Sequence, residues 1–289
     1  MCCDTTVTNV DSDPLTLQAV AEGLAAEAAE FVRRRRAEVF GDGAHRPDAG
    51  SAVRTKSTPT DPVTIVDTET ERLLRDRLAQ LRPGEPVLGE EEGGAPRVEA
   101  GLPLWVLDPI DGTVNFVYGV EAYAVSVGVQ VDGASVAGAV ANVPTGEVFS
   151  AAVGHGAHLR RAGASMPTTL RCTAVADLSM ALVGTGFSYA PEQRVRQGEV
   201  LTRLLPDVRD VRRFGSCALD LCMVAAGRLD AYYEDGVHVW DWAAGALVAA
   251  EAGAVLHLPP VDAEPGLIVA SAPAIAAELD AALNRARAG

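Results

Sequence analysis

Residues 122–153 constrain the fold more than any other part of the chain. "AYAVSVGVQV" (122–131) is an apolar, β-branched run that ends in Asp132-Gly133, a strong hairpin turn. "ASVAGAVANV" then returns, Pro144-Thr145-Gly146 turns again, and "EVFSAAV" makes a further strand. Such a stretch predicts an antiparallel meander. Beyond residue 165 the rhythm changes. Short apolar runs ("ALVGTGF", "VRDVRRF", "DAYYE", "AVLHL", "GLIVAS") alternate with helical segments over 192–205, 217–226, 241–252 and 273–287. That is α/β alternation. The division predicted is 1–165, helices plus antiparallel sheet, and 166–289, an α/β half, with a cleft shared between them.

The helices upstream carry their own punctuation. Asp13-Pro14 starts one, with Asp as N-cap and Pro in the first turn, and Leu17, Val20, Leu24, Ala28, Phe31 and Val32 follow at helical spacing. The run Arg33–Arg36 reads as the solvated end of that helix, where cations suit the dipole. Thr68-x-x-Glu71 has the form of a capping box, and Leu73, Leu74, Leu78 and Leu81 make the apolar stripe of the helix expected after it.

Bulk properties narrow the function. The 289 residues are 48% hydrophobic and 22% charged, enough for substantial cores. A net charge of −15 argues against nucleic acid or an anionic membrane as the main partner. An anionic substrate would need local positive charge, which bound cations can supply. The five cysteines (Cys2, Cys3, Cys172, Cys217, Cys222) form neither a disulfide framework nor a zinc-type pairing. No signal peptide and no membrane-length apolar run is evident, so a cytoplasmic location is expected.

Acidic residues then stand in unusual places. Asp67 closes "DPVTIVD" before a helix, and Glu90 sits in the Gly89-Glu90-Glu91 loop after a strand. Asp108 and Asp111 close the apolar strand "LWVL", and Asp241 follows Trp240 at the start of a helix. Each has a plainer reading: Asp67 and Asp241 as N-caps, Glu90 as part of a solvated acidic run, Asp108-Pro109-x-Asp111-Gly112 as a turn. In "DPIDGT", however, Pro109 keeps Asp108 extended and turns Asp111 back toward it. The Ile110 carbonyl is then left without a ladder partner. Two carboxylates and a carbonyl are hard oxygen ligands suited to magnesium. The amides of Gly112 and Thr113 beside them suit a phosphate. A cation site next to an anion site is what metal-dependent hydrolysis of a phosphate ester requires.

"DPVTIVD", "GEE", "DPIDGTVNF" and "WDWAAGALVAAEAG" stand in the order found in the inositol monophosphatase family, and the match runs from Lys56 to Ala254. The wording resembles the SuhB-type bacterial branch, actinobacterial members in particular. Ala254 departs from the usual "EAGG", and Cys217 stands where Ala is common. The resemblance implies an αβαβα sandwich of the inositol monophosphatase and fructose-1,6-bisphosphatase type. It implies that Glu90, Asp108 and the Ile110 carbonyl bind a first Mg²⁺, and Asp108, Asp111 and Asp241 a second, with a third, weaker ion near Glu90. Asp67, Glu90 and Thr113 would be catalytic, orienting the attacking water and accepting its proton. Glu90, Asp111, Gly112, Thr113 and Asp241 would touch the substrate, with the Gly112 and Thr113 amides on phosphate oxygens; Gly215, Ser216, Cys217 and Glu234 would line the polyol end. Lys56 would lie near the metal–water network.

The implied activity is Mg²⁺-dependent, lithium-sensitive hydrolysis of inositol 1-phosphate by a homodimer. Rival readings are histidinol phosphatase, 3′-phosphoadenosine nucleotidase, fructose-1,6-bisphosphatase, or a non-enzymatic partner role in RNA metabolism. Other features read plainly. "GTGF" (184–187) is no dinucleotide fingerprint, His155 and His158 are surface residues, and Trp240 and Trp242 pack beside the site.

Overall fold

A computed structural model describes residues 12–41, 53–55, 62–94, 99–259 and 265–288. Lys56, Cys2 and Cys3 lie outside them. In chain order the elements are helix α1 (Pro14–Phe40), strands β1 (Val53–Thr55) and β2 (Pro62–Thr64), helix α2 (Ile65–Leu81), and strands β3 (Val87–Gly89) and β4 (Pro103–Asp111). The short helix α3 (Thr113–Tyr118) leads into the meander β5 (Ala124–Val131), β6 (Ala134–Asn142), β7 (Val148–Ala152), β8 (Ala157–Arg160) and β9 (Thr168–Thr169). Then come β10 (Leu182–Thr185), α4 (Pro191–Leu204), β11 (Asp210–Arg212), α5 (Cys217–Ala225), β12 (Ala231–Val237), α6 (Val239–Glu251), β13 (Val255–His257), β14 (Gly266–Ser271) and α7 (Ala276–Ala288).

Two sheets organise these elements. One has seven strands in the order β3-β4-β5-β6-β7-β8-β9; the other has five in the order β11-β10-β12-β14-β13. The large sheet is antiparallel except for β3, which runs parallel to β4. In the small sheet β10 is parallel to β11 and β12, while β14 is antiparallel to β12 and β13. Alternation of side chains along each strand sends successive residues to opposite faces. On the large sheet Trp105, Leu107, Val125, Val127 and Val129 meet α1 and α2. From the other face Val106 meets α5, α6 and the small sheet, through Leu221, Trp242 and Tyr232. On the outer face of the small sheet Val183, Ala231 and Tyr233 pack on α7. The layers are therefore α1α2, sheet, α5α6, sheet, α4α7, the expected αβαβα sandwich.

Helix α6 comes unusually close to the large sheet. Gly128 of β5 and Gly138 of β6 are cross-strand partners. A Cβ on Gly128 would lie 2.9 Å from the Ala243 Cβ, and one on Gly138 would lie 2.9 Å from the Ala244 Cα. Glycine at both positions lets the helix that begins beside Asp241 rest on the strands themselves.

Three local expectations need correction. The capping box of α2 is Thr64 with Asp67, one turn before Thr68-x-x-Glu71. Glu71 is instead buried, and its carboxylate accepts the amides of Glu91 and Glu92 at 2.7 and 3.0 Å. The stripe of α2 is Val66, Thr70, Glu71, Leu74 and Leu78; Leu81 is exposed. Arg33–Arg36 is more than a solvated end. Arg33 Nε donates to the Val143 carbonyl, Arg36 Nε to the Phe116 carbonyl, and Arg35 pairs with Glu69. These long side chains bury their stems while tying α1 to its neighbours.

Candidate active site

The strand "LWVLDPID" breaks register at its end. Asp108 pairs with Ser126 and Asp111 with Ala124, so β4 carries one extra residue between them. This is a β-bulge, which bends the strand and re-aims its side chains. Pro109 lacks an amide for the ladder. The Ile110 amide turns inward and donates to Asp108 Oδ1 at 3.0 Å. The Ile110 carbonyl lies 3.0 Å from the Thr113 hydroxyl. Gly112 follows with φ of +93°, the left-handed conformation a side chain would strain. A Cβ there would also meet the Ala122 and Gly215 carbonyls at 2.9 and 3.0 Å.

Other elements deliver the remaining carboxylates to this bulge. Parallel strands end at the same edge of a sheet, so the residue after β3 arrives beside the end of β4. The Glu90 amide donates to the Leu107 carbonyl at 3.1 Å, and Glu71 holds the loop from below. Asp67 is fully buried; its Oδ2 accepts the Thr64 amide at 2.9 Å, while Thr113 Oγ1 stands 3.1 Å from its Oδ1. Asp241 Oδ2 accepts the His238 amide at 2.6 Å at the start of α6. Asp111 Oδ2 accepts from Ser216 Oγ at 2.6 Å and from the Ala218 amide at 2.7 Å, at the N-terminus of α5.

Asp108, Asp111 and Asp241 each offer an oxygen, and the three oxygens lie within 4.8 Å of one another. Burial pushes Asp111 up to about 7, against the pull of its Ser216 and Ala218 bonds. Burial, then the charges of Asp111 and Glu90, push Asp241 well above the ordinary carboxylate range. Crowded, desolvated carboxylates are unfavourable by themselves and favourable around a cation. An all-oxygen donor set of this kind suits a hard divalent ion.

These groups line a cavity of about 460 Å³, together with Glu90, Gly112 and Thr113. Gly215, Cys217 and Glu234 line the same cavity. Ser216 is buried and acts differently. Its hydroxyl bonds Asp111 and caps α5 through the Leu219 amide. Glu234 Oε2 accepts from the Tyr232 hydroxyl at 2.5 Å. Burial raises the Glu234 pKa, while Tyr232 and Arg213 draw it back.

Sequence reasoning missed several residues here. Arg213 lines the cavity and lies over Gly215, where a Cβ would meet its Nη1 at 2.3 Å. Asn115, inside "DPIDGTVNF", donates to the Ala122 and Phe214 carbonyls, both at 2.7 Å, and so joins the bulge to the segment before α5. Gly186 of "GTGF" supports Glu234, whose carboxylate occupies the place of a Cβ. Trp240, expected only to pack, stacks on His238 and faces the cavity, while Trp242 is buried in the core. The signals were weak: a second arginine in "RRF", and a glycine read as part of an incomplete motif.

A layered sandwich with a buried acidic cluster at a strand bulge defines a phosphatase class, and family comparison agrees. Residues 13–288 match the inositol monophosphatase family, and the chain belongs to that family. It is a phosphatase. It is 62% identical over 284 residues to the Inositol-1-monophosphatase SuhB of Mycobacterium tuberculosis, covering 96% of this chain and 97% of that one. The solved structure of Mycobacterium tuberculosis SuhB superposes with a TM-score of 0.80 at 59% identity, over 96% and 98% of the two chains. The Nus factor SuhB of Pasteurella multocida is 34% identical over 224 residues, 77% of this chain and 80% of that one. Among the described residues no helix is long and apolar enough to cross a membrane.

Proposed function

We propose that this phosphatase hydrolyses inositol 1-phosphate to inositol and phosphate with magnesium as its cation. The observation that carries the reading is one cavity lined both by three converging carboxylates and by Glu234. Glu90, Asp108, the Ile110 carbonyl, Asp111 and Asp241 are the groups that would hold two to three magnesium ions. When bound, magnesium supplies positive charge to the phosphoryl oxygens and makes water a stronger acid at neutral pH.

The protein groups then have separate roles. The Thr113 hydroxyl has one proton and two acceptors within reach, Asp67 Oδ1 and the Ile110 carbonyl. Donating to Asp67 leaves its oxygen able to accept a hydrogen bond from the attacking water. Thr113 and Glu90 orient that water and receive its proton. The amides of Gly112 and Thr113 bind phosphate oxygens. Asp111, held by Ser216 and α5, and Asp241, held at the start of α6, keep their positions as charge develops. Glu234, fixed by Tyr232, accepts from a ring hydroxyl, and Gly215 and Cys217 shape the wall beside it. No protein nucleophile takes part.

The mycobacterial relatives, which bear the name inositol-1-monophosphatase, support this substrate. The reading includes lithium inhibition, a homodimer and a cytoplasmic location. Its test is kcat/KM for inositol 1-phosphate, histidinol phosphate, 3′-phosphoadenosine 5′-phosphate and fructose 1,6-bisphosphate at matched Mg²⁺. Inositol 1-phosphate should rank first; a higher value for any other overturns the assignment. The name of the Pasteurella relative, Nus factor SuhB, favours a second reading, a non-enzymatic partner role in RNA metabolism. Absence of Mg²⁺-dependent activity on all four esters would favour that role.

A further inference from the structure

Strand β12 serves two cavities. Glu234 and Gly236 line the one described above, while Tyr233 and Asp235 line a second, of about 280 Å³, between α4, α7 and the outer face of the small sheet. The division follows from the two-residue period of a strand. The second cavity has an apolar floor formed by Val200, Tyr233, Leu267 and Leu283.

Its rim is cationic. Arg196 and Arg203 of α4 and Arg287 of α7 stand around the floor. Arg196, Val200 and Arg203 follow at i, i+4 and i+7, so one face of α4 presents all three. That helix buries only Leu204. Two carboxylates, Glu199 and Asp235, share the rim. Arg287 stands 3.7 Å from Asp235, and Arg203 Nη1 donates to the Ala286 carbonyl at 2.8 Å. The rim therefore keeps an excess of positive charge, in a chain whose net charge is −15.

Tyr233 closes one wall of the crevice. The residue is 6% exposed, and its hydroxyl interacts with the Thr185 side chain on the same wall.

We propose that this crevice is a second ligand site, separate from the catalytic one, for a small organic anion. The ligand is a carboxylate, sulfonate or phosphate carrying an apolar ring or chain. The charged group meets the arginines, and the apolar part covers Val200 and Leu283. The site is independent of which phosphate ester the enzyme hydrolyses. Gln193 lines both cavities, so the test must tell them apart.

The test is isothermal titration of the full chain, in Mg²⁺, with naphthalene-1-sulfonate, which is not a phosphate ester. Binding should be unchanged in Asp108→Asn and in saturating inorganic phosphate. The Kd should rise by about tenfold or more in the triple variant Arg196→Gln, Arg203→Gln, Arg287→Gln. It should rise as much in Val200→Trp, which fills the crevice but keeps all three cations. Thermal melts of both variants establish that they fold. Three results would overturn the proposal: no binding at millimolar sulfonate, unchanged affinity in the folded triple variant, or displacement by inorganic phosphate. The last would put the sulfonate in the catalytic cavity, and unchanged affinity would leave the arginines as solvated cover for an apolar floor.

Discussion

Asp67 and Asp241 occupy the same position, N3, in two unrelated helices. Each gives one oxygen to the amide of its N-cap residue. Helix capping and site building therefore coincide in these residues: the cap fixes the rotamer, and the rest of the carboxylate faces the site. Asp108 differs, because its own strand bulge holds it through the Ile110 amide. In the proposed reaction Asp108→Asn removes a shared anionic ligand. It should lower kcat by about 10³-fold or more, an effect of about 4 kcal/mol on the barrier, with the melting temperature kept. Steady-state kinetics beside a thermal melt check this, and near-normal kcat would refute the role. Glu234→Gln keeps size and can still accept from Tyr232, but loses the charge offered to a ring hydroxyl. Its effect should appear as a changed ranking of kcat/KM over the four esters, and an unaltered ranking would remove Glu234 from the polyol contact.

At the scale of elements, the position of α6 depends on what Gly128 and Gly138 lack. Gly138→Ala would push a methyl group into the Ala244 backbone, and overpacking of this kind costs about 1–3 kcal/mol. The displaced helix carries Asp241, so kcat should fall together with stability. Gly23→Ala is the matching control, because nothing lies within 4 Å of a Cβ there. In the middle of α1 that change should stabilise by about 0.5–1 kcal/mol. Urea titrations of both variants decide the point; equal effects would mean the close approach is unimportant. The meander was legible in sequence because its turn residues sit at the right intervals. The Arg33–Arg36 contacts were not, because a charge run shows where cations are but not which carbonyls they reach across the fold.

At the scale of the molecule, a strongly acidic chain gathers several carboxylates at one buried point. That arrangement makes stability depend on the cation. A ligand bound only by the folded state stabilises it by about 2.7 kcal/mol at a hundredfold excess over its Kd. Magnesium should therefore raise the melting temperature of the wild type, EDTA should return it to the metal-free value, and Asp108→Asn should show a much smaller rise. Calorimetric scans with and without Mg²⁺ measure this, and a wild-type Tm indifferent to Mg²⁺ would contradict the cation site.

Local chemistry carried much of this protein by itself. The turn dipeptides, the proline and glycine of "DPIDGT", the first helix cap and the order of acidic motifs are short-range features, and each is written in consecutive residues. The capping box of α2 shows how far that reaches: the element was legible, its boundary was one turn out, and Glu71 proved to serve a loop twenty residues away. Only the tertiary structure decided which face of β12 serves which cavity, that Gly186 makes room for Glu234, and that Ser216 anchors Asp111. The reason is physical. These contacts join residues tens of positions apart or more, and packing of two sheets through one helical layer sets them, a geometry that no local spacing encodes.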